Sequence, residues 1–421
     1  MFRRIGINWL PGLLLGLAAS GAWAQAASPA SPVVTTLRQA FDAAWARQPE
    51  AQSLDMRRAA ALARRESADS WSAEPPAFEV SGKTDQLHRN DGSREYEIGL
   101  AVPLWLPGER ASTAALADAE VRASTSRTLA AQLRTAAGVR AAYWDWQRAR
   151  VDVLVARERL ASARELAADV SKRVRAGELA RADQHQADGA LATAEASLAE
   201  ASGALAGAEQ QLRALTGMTP ALAAEGLSVA EAEPAPAAPP VALGAGHPAI
   251  AELRDRAELA QRSMTLAGIQ GRANPELNLA TTRERGASGE SWQQTVTIGV
   301  RIPFGSDSRN RARVASASAE AIEAETQLRL ERERLTAEVD TARVRVESAR
   351  TLVASAEQRA QLARESRGFF QKAFRLGETD LPTRLRIELE ATEAERQVAR
   401  TRIELAAAVS ALRQAMGLLP E

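Results

Sequence analysis

The sequence predicts a mainly α-helical protein with membrane-type β-strands, built from one unit written twice. Three observations carry that prediction. Residue identities recur 200 positions apart. Each copy holds a segment of apolar–polar alternation about ten residues long, the length of a strand that crosses a bilayer. Each copy then continues into apolar residues at every seventh position, sustained far beyond an ordinary helix.

The duplication can be read residue by residue. Ile98-Gly99 returns as Ile298-Gly299, Pro103 as Pro303, Gly177-Glu178 as Gly377-Glu378, and Gly217 as Gly417. Lys172 returns as Lys372, in a chain with only three lysines. Nearer the start the register slips by one, with Pro49 matching Pro248 and Pro76 matching Pro275. A period this long is a duplicated domain, not a solenoid repeat. The expected copies are 37–218 and 247–421. Between them, 219–246 reads as a linker in which Pro234, Pro236, Pro239 and Pro240 stand among alanines.

Ahead of the first copy, residues 1–24 have the three parts of a cleaved export signal. Arg3 and Arg4 give a positive start, Trp9 to Ala19 an apolar run, and Ala22-Trp23-Ala24 a small-residue cleavage site. A Pro/Ser/Ala lead follows over 25–36. No later stretch has the ~18 consecutive apolar residues of a membrane helix, so insertion into lipid is expected to use strands.

Composition excludes several function classes. The 421 residues carry 53 Lys+Arg and 53 Asp+Glu, which leaves no basic footprint for nucleic acid. Cysteine is absent, so disulfides, thiolate metal sites and a cysteine-linked lipid anchor are impossible. The three histidines, His88, His185 and His247, are far apart, which argues against a zinc site. There is no phosphate-binding glycine loop and no nucleophile motif. No enzyme activity, metal or cofactor is expected.

Each copy has one order of elements. A helix over about Leu37 to Ala73, interrupted near Pro49, corresponds to one over His247 to Ala273. Pro76 and Pro275 then halt helix formation. In the first copy Tyr96, Ile98, Leu100, Val102 and Leu104 alternate with Glu95, Glu97, Gly99, Ala101 and Pro103. In the second, Trp292, Val296, Ile298, Val300, Ile302 and Phe304 share a face broken only by Gln294. Each has a weaker partner upstream, Phe78-Val80-Gly82 and Leu277-Leu279-Thr281, across a polar turn, so each copy makes a hairpin. The aromatics at the segment ends match the girdles of membrane barrels. Four strands cannot close a barrel, and unpaired strand edges in lipid cost several kcal/mol per group. If these strands lie in a membrane, several chains must share one barrel; the alternative is a hairpin packed on a soluble core.

The long helices follow. Val139, Trp146, Val153, Leu160, Ala167 and Val174 repeat every seven residues, and Ala142, Ala149, Ala156 and Ala163 fill the second seam row. Gly177 and Gly377 suit left-handed helix ends, so each rod turns back there.

These features resemble the TolC family of outer-membrane efflux channels. The resemblance covers essentially the whole mature chain. It rests on the duplicated element order and on the turns Val174-Arg175-Ala176-Gly177-Glu178 and Phe374-Arg375-Leu376-Gly377-Glu378-Thr379-Asp380-Leu381. Pro107-Gly108-Glu109-Arg110-Ala111 looks like the CzcC-type, heavy-metal-efflux branch. The resemblance implies a homotrimer in which each chain gives four strands to a twelve-stranded outer-membrane β-barrel. Its helices would form a periplasmic α-barrel that meets a periplasmic adaptor (membrane fusion) protein and an inner-membrane pump of the resistance-nodulation-division type. It implies a gate near the second helical turn, with Phe374, Asp380, Arg384 and Arg386 as constriction candidates. Two positions acidic in family members are Thr383 and Arg386 here. The turns at Arg175, Gly177, Glu178, Arg375, Gly377 and Glu378 become candidate adaptor-docking points. Tyr96, Ile98, Leu100, Val102, Val296, Ile298, Val300 and Ile302 become the surface facing outer-membrane lipid.

The expected function is a passive exit duct. The competing reading is a periplasmic coiled-coil adaptor or scaffold without a pore, which should show one helical hairpin flanked by β-rich domains. The strand assignment predicts that Ile98→Arg places a charge in lipid and costs about 2–4 kcal/mol near the bilayer midplane. Quantifying the folded, membrane-inserted fraction checks this, and wild-type assembly would refute the orientation.

Overall fold

The computed structural model describes residues 33–34, 36–88, 90–221, 230–234, 246–305 and 307–421. The expected signal over 1–24 lies outside the described residues, as do most of the lead and much of the linker. The chain opens with a two-residue strand, β1 (Val33–Val34), and three helices, α1 (Leu37–Ala46), α2 (Pro49–Gln52) and α3 (Leu54–Ala68). Thr36 caps α1 by accepting the Gln39 N–H at 3.2 Å, and Pro49 opens α2 at a position where its missing N–H is tolerated. The helical stretch stops short of the expected Ala73, because the Ala73 N–H is bonded to Pro103 O at the end of a strand.

Strands β2 (Ala77–Thr84) and β3 (Arg94–Pro103) form the first hairpin. Helices α4 (Glu109–Arg175) and α5 (Arg181–Thr216) follow, then a short strand β4 (Thr219–Pro220). The second copy runs α6 (Pro248–Ile269), β5 (Glu276–Arg285), β6 (Gln293–Arg301), α7 (Asp307–Leu376) and α8 (Leu381–Ala415). The two hairpins join into one antiparallel sheet of order β2-β3-β5-β6. With 67 and 70 residues, α4 and α7 are rods of about 100 Å at 1.5 Å per residue. No helix among the described residues is long and apolar enough to cross a membrane.

The heptad positions form the core of the rods. Val139, Trp146, Val153, Leu160 and Ala167 are buried on α4. Where Trp146 and Tyr143 pack, the core also takes Leu37, Phe41 and Ala44 of α1, Leu212 of α5 and Ile403 of α8. Each rod ends alike. Gly177 and Gly377 take φ of +82° and +77°, and the next N–H reaches back to a carbonyl of the last turn, Glu178 to Arg173 and Glu378 to Ala373, both at 2.9 Å.

Two features depart from the sequence reading. The expected linker is partly built into the fold. Its first residues pair in parallel with β1, Val33 opposite Thr219. Further along, Glu231 is buried, hydrogen-bonded to Arg140 at 2.7 Å and to Ser410, and ion-paired with Arg413 at 3.4 Å. A proline–alanine composition gives no sign of this, because the two guanidiniums that neutralise Glu231 lie far away in sequence. The second feature is the segment Pro107-Gly108-Glu109-Arg110, which joins strand to rod. Glu109 is buried. It accepts from the Leu106 N–H at 3.0 Å, from Gln270 at 2.7 Å and from Asn274 at 2.8 Å. One carboxylate thus ties the start of α4 to the junction between α6 and β5 in the other copy.

Hydrogen bonds to a charged group are worth about 1.5–3 kcal/mol each. Glu109→Ala removes three and leaves the Gln270 amide unpaired, while Asn274 keeps its bond to Leu104 O, so it should destabilise the fold by about 3 kcal/mol or more. Denaturant unfolding of the detergent-solubilised protein measures this, and a loss under about 1 kcal/mol would show the joint to be incidental.

Candidate functional site

The first functional surface is the sheet. Because side chains alternate, register decides what each face carries. One face aligns Phe78, Leu100, Leu279 and Ile298 in a row across the four strands. The next row toward the hairpin turns is Val80, Ile98, Thr281 and Val296. Most of these side chains are exposed, Ile298 by 72% and Val296 by 65%. Gln294 interrupts the face, but its amide donates to Thr281 Oγ1 at 3.2 Å. The opposite face aligns Ser81, Glu97, Thr282 and Thr295 in one row and Lys83, Glu95, Glu284 and Gln293 in another. A sheet exposing a full apolar face, with polar residues opposite, is built to stand between lipid and water.

Seven of the eight residues expected on the lipid face, Tyr96, Ile98, Leu100, Val296, Ile298, Val300 and Ile302, are exposed. Val102 is the correction, being only 7% exposed. It sits at the strand end where Trp105 Nε1 donates to Ser70 O at 3.2 Å and Ala73 N to Pro103 O, so chain from the helical side meets the sheet there. The expected girdle has two ends. Tyr96 stacks on Trp292 with ring centroids 5.9 Å apart at the turn end, and Phe304 is 94% exposed at the helical end.

The second surface is the far end of the rods. Phe374, in the last turn of α7, is buried with Leu166, Ala167 and Val170 of α4, Ala187 of α5 and Leu381 of α8. Two guanidiniums lie over its ring, Arg384 at 4.6 Å and Arg173 at 4.9 Å. Arg173 also donates to Phe374 O at 3.3 Å. Asp169 faces both cations, 3.4 Å from Arg173 and 3.8 Å from Arg384. Burial pushes the Arg384 guanidinium below its ordinary value, against the pull of Asp169 and Glu388. Such contacts are worth ~0.5–1 kcal/mol when exposed and ~2 when desolvated. The cluster fastens the α7–α8 turn to the first helical hairpin.

The four gate candidates therefore separate. Phe374 and Arg384 come together. Asp380 caps α8, accepting the Thr383 N–H at 3.1 Å, and the hydroxyl and N–H of Thr383 hold its carboxyl below the usual range. Arg386 pairs with Glu390 on its own helix at 2.7 Å, in the open. Sequence reading missed Arg173 and Asp169, which look like ordinary rod charges; only the packing of the two hairpins reveals them. Gly177, Glu178, Gly377 and Glu378 are exposed at the turns, while Arg175 and Arg375 bond carbonyls of their own last turns, Ser171 and Gln371.

Residues 40–218 match the family described as outer membrane efflux protein, which is the first copy almost entire, and the second copy repeats its order of elements. The chain has the fold of solved outer-membrane channels. It resembles CusC, from crystal structures describing folding and transmembrane channel formation, with a TM-score of 0.77 at 17% identity over 91% of this chain and 92% of that one. It is similar to VceC of Vibrio cholerae, with a TM-score of 0.73 at 17% identity over 91% and 97%. It is also similar to the open state of MtrE of Neisseria gonorrhoeae, with a TM-score of 0.72 at 17% identity over 91% and 89%. No curated protein sequence matches. Two helical hairpins and a four-stranded sheet with one apolar face give this chain the fold of these channels and not that of a pore-less adaptor with one hairpin.

Phe374→Ala empties the centre of the tip cluster and should cost about 3–5 kcal/mol of local packing. Amide hydrogen exchange across residues 370–385 should rise sharply while the α4–α1 core stays protected. Unchanged exchange at the tip would remove Phe374 as the fastening residue.

Proposed function

We propose that three copies close into one passive duct, with a barrel of twelve strands in the outer membrane and a wall of helices in the periplasm. A pump in the inner membrane, of the resistance-nodulation-division type, and a periplasmic adaptor would supply the energy and the connection. The reading rests on open edges at both levels of the chain. The sheet ends at β2 on one side and β6 on the other. The helical layer runs α5, α4, α8, α7 along one stretch and α3, α4, α6, α7 along the other, leaving α7 outermost on one side and α5 and α3 on the other. An unpaired strand edge in lipid is not tolerated, and a head-to-tail interface that closes gives a ring. The number three comes from the family resemblance.

The outer face of α7 supports this. Ile322, Leu330, Leu352, Leu362, Phe369 and Leu376 are exposed, each by half or more, and fall within about a third of the helix circumference at 3.6 residues per turn. The buried seam of Leu335, Val339, Val346 and Ala360 lies on the opposite side. A helix apolar on two opposed sides is an interior member of a wall, so a second copy covers the exposed stripe.

The polar face of the sheet becomes the barrel interior. Glu79, Glu95, Glu97, Glu276 and Glu284 share it with Lys83 and Arg301. Lys83 pairs with Glu95 at 2.9 Å and Arg301 with Glu276 at 3.5 Å. Glu79, Glu97 and Glu284 have no cation partner among the described residues, so the interior is anionic and favours cationic solutes. The tip cluster around Phe374 is the closable end, and the exposed turns at Gly177 and Gly377 are the adaptor contacts. The resemblance of the Pro107–Ala111 segment points to metal cations as cargo, which the anionic interior accommodates.

One experiment tests the assembly and its selectivity. Cysteines placed on the exposed stripe of α7 and on α5 of the cysteine-free chain should crosslink into a trimer in outer membranes. The same material in planar bilayers under a salt gradient should show a cation-selective reversal potential that weakens in Glu97→Gln/Glu284→Gln. A soluble monomer, or crosslinks confined to single chains, would defeat the ring.

A further inference from the structure

At the turn end of the sheet, the apolar face stops at a row the duct does not use. Beyond Ile98 and Val296, the next aligned row holds Gly82, Tyr96, Arg283 and Gln294. Arg94 and Arg285 pair one step further out on the same face. The ring of Trp292 gathers this end together. Tyr96 stacks on it, and the guanidiniums of Arg283 and Arg285 each lie 5.1 Å from its centroid. The three cations differ in what they already hold. Arg94 is paired with Asp85 at 2.5 Å, and Arg285 donates through Nε to Gly92 O at 3.1 Å. Arg283 is exposed and has no hydrogen bond or ion pair among the described residues. The carboxylates of the neighbouring positions, Glu95 and Glu284, belong to the opposite face.

We infer that Arg283 and Arg285, with Tyr96 and Trp292, form a binding site for a phosphate-bearing lipid headgroup in the outward leaflet of the membrane. The inference rests on the duct reading only in placing the sheet in a bilayer. Depth argues for lipid. Tyr96 and Trp292 border the apolar rows, where amphipathic aromatics mark the level of headgroups. From Val296 to Phe304 the exposed segment spans about 27 Å at ~3.4 Å per residue, close to the ~25 Å apolar band of a membrane barrel. Charge argues for phosphate. A guanidinium presents a planar fork that matches phosphate oxygens, and here the two forks are held over one indole instead of ranging freely. Arg283 is the free fork; Arg285 keeps donors beyond its bond to Gly92. Acyl chains of the same lipid would run down over Ile98, Thr281 and Val296. The helices lie at the other end of the sheet, so this row faces the outside leaflet.

The test uses the assembled protein in detergent and native mass spectrometry. The probes are a bis-phosphorylated glucosamine lipid, its dephosphorylated form and inorganic phosphate. Wild type should retain the phosphorylated lipid at least fivefold over the dephosphorylated form. Arg283→Gln, which removes the contact with the Trp292 ring but no hydrogen bond or ion pair among the described residues, should reduce that retention at least threefold, and Arg283→Lys should restore it in part. Equal retention of both lipids, or retention untouched by Arg283→Gln, overturns the site. Displacement by inorganic phosphate at millimolar concentration also overturns it, as a free-anion site. Outer-membrane insertion of each variant is measured alongside, so that failure of the duct reading is seen separately from failure of the lipid site.

Discussion

The constraint on which the rest depends is the pairing of backbone groups at the two edges of a four-stranded sheet. Water is absent from the hydrocarbon layer, so an edge there leaves amides and carbonyls with nothing to bond. Strands β2 and β6 are those edges. In the proposed duct they force a shared barrel, and the shared barrel fixes what the helices must do. They too end in open sides, at α5 and α7, and α7 carries an apolar stripe that stays exposed among the described residues. The membrane part and the helical part make the same demand for a neighbour.

A four-stranded sheet and a rod of about 100 Å need a stiff joint. Glu109 supplies it by drawing the first copy's strand–helix corner onto Gln270 and Asn274 of the second. A second buried carboxylate, Glu231, does similar work lower down by neutralising Arg140 and Arg413. At the far end the fastening is of another kind. Phe374 under Arg173 and Arg384 is held by packing and by cation contacts to a ring face, each worth little alone. Strong charged joints near the membrane and a weaker cluster at the tip fit a duct that stays rigid at one end and yields at the other.

How far the site was legible in the sequence varies with the range of the interaction. The apolar strand face was legible because period-two alternation is a property of one strand, and Tyr96, Ile98, Val296 and Ile298 are exposed where alternation put them. Val102 obeys the same alternation yet is buried, because what meets that strand end comes from Ser70–Ala73. Asp380 and Arg386 were plausible constriction residues as charges near a turn. One proved to be a helix cap and the other half of a surface pair, both local uses that the charge itself does not distinguish. Asp169 and Arg173 were invisible, since their partner Phe374 is about 200 residues away.

The sequence by itself determined the periodic features: two copies, strand faces, coiled-coil seams, and the glycine turns that reverse each rod. These follow from steric and hydrophobic preferences that act within a few residues, so one chain segment suffices to state them. The tertiary structure alone decided the join of β3 to β5, the joint at Glu109, the capture of the linker by Glu231 and the arginine–phenylalanine cluster at the tip. Each of these pairs a residue of one copy, or of the linker, with residues of the other. No local period encodes which of many similar arginines or alanines will meet across that distance; only the packing of the two copies against each other selects them.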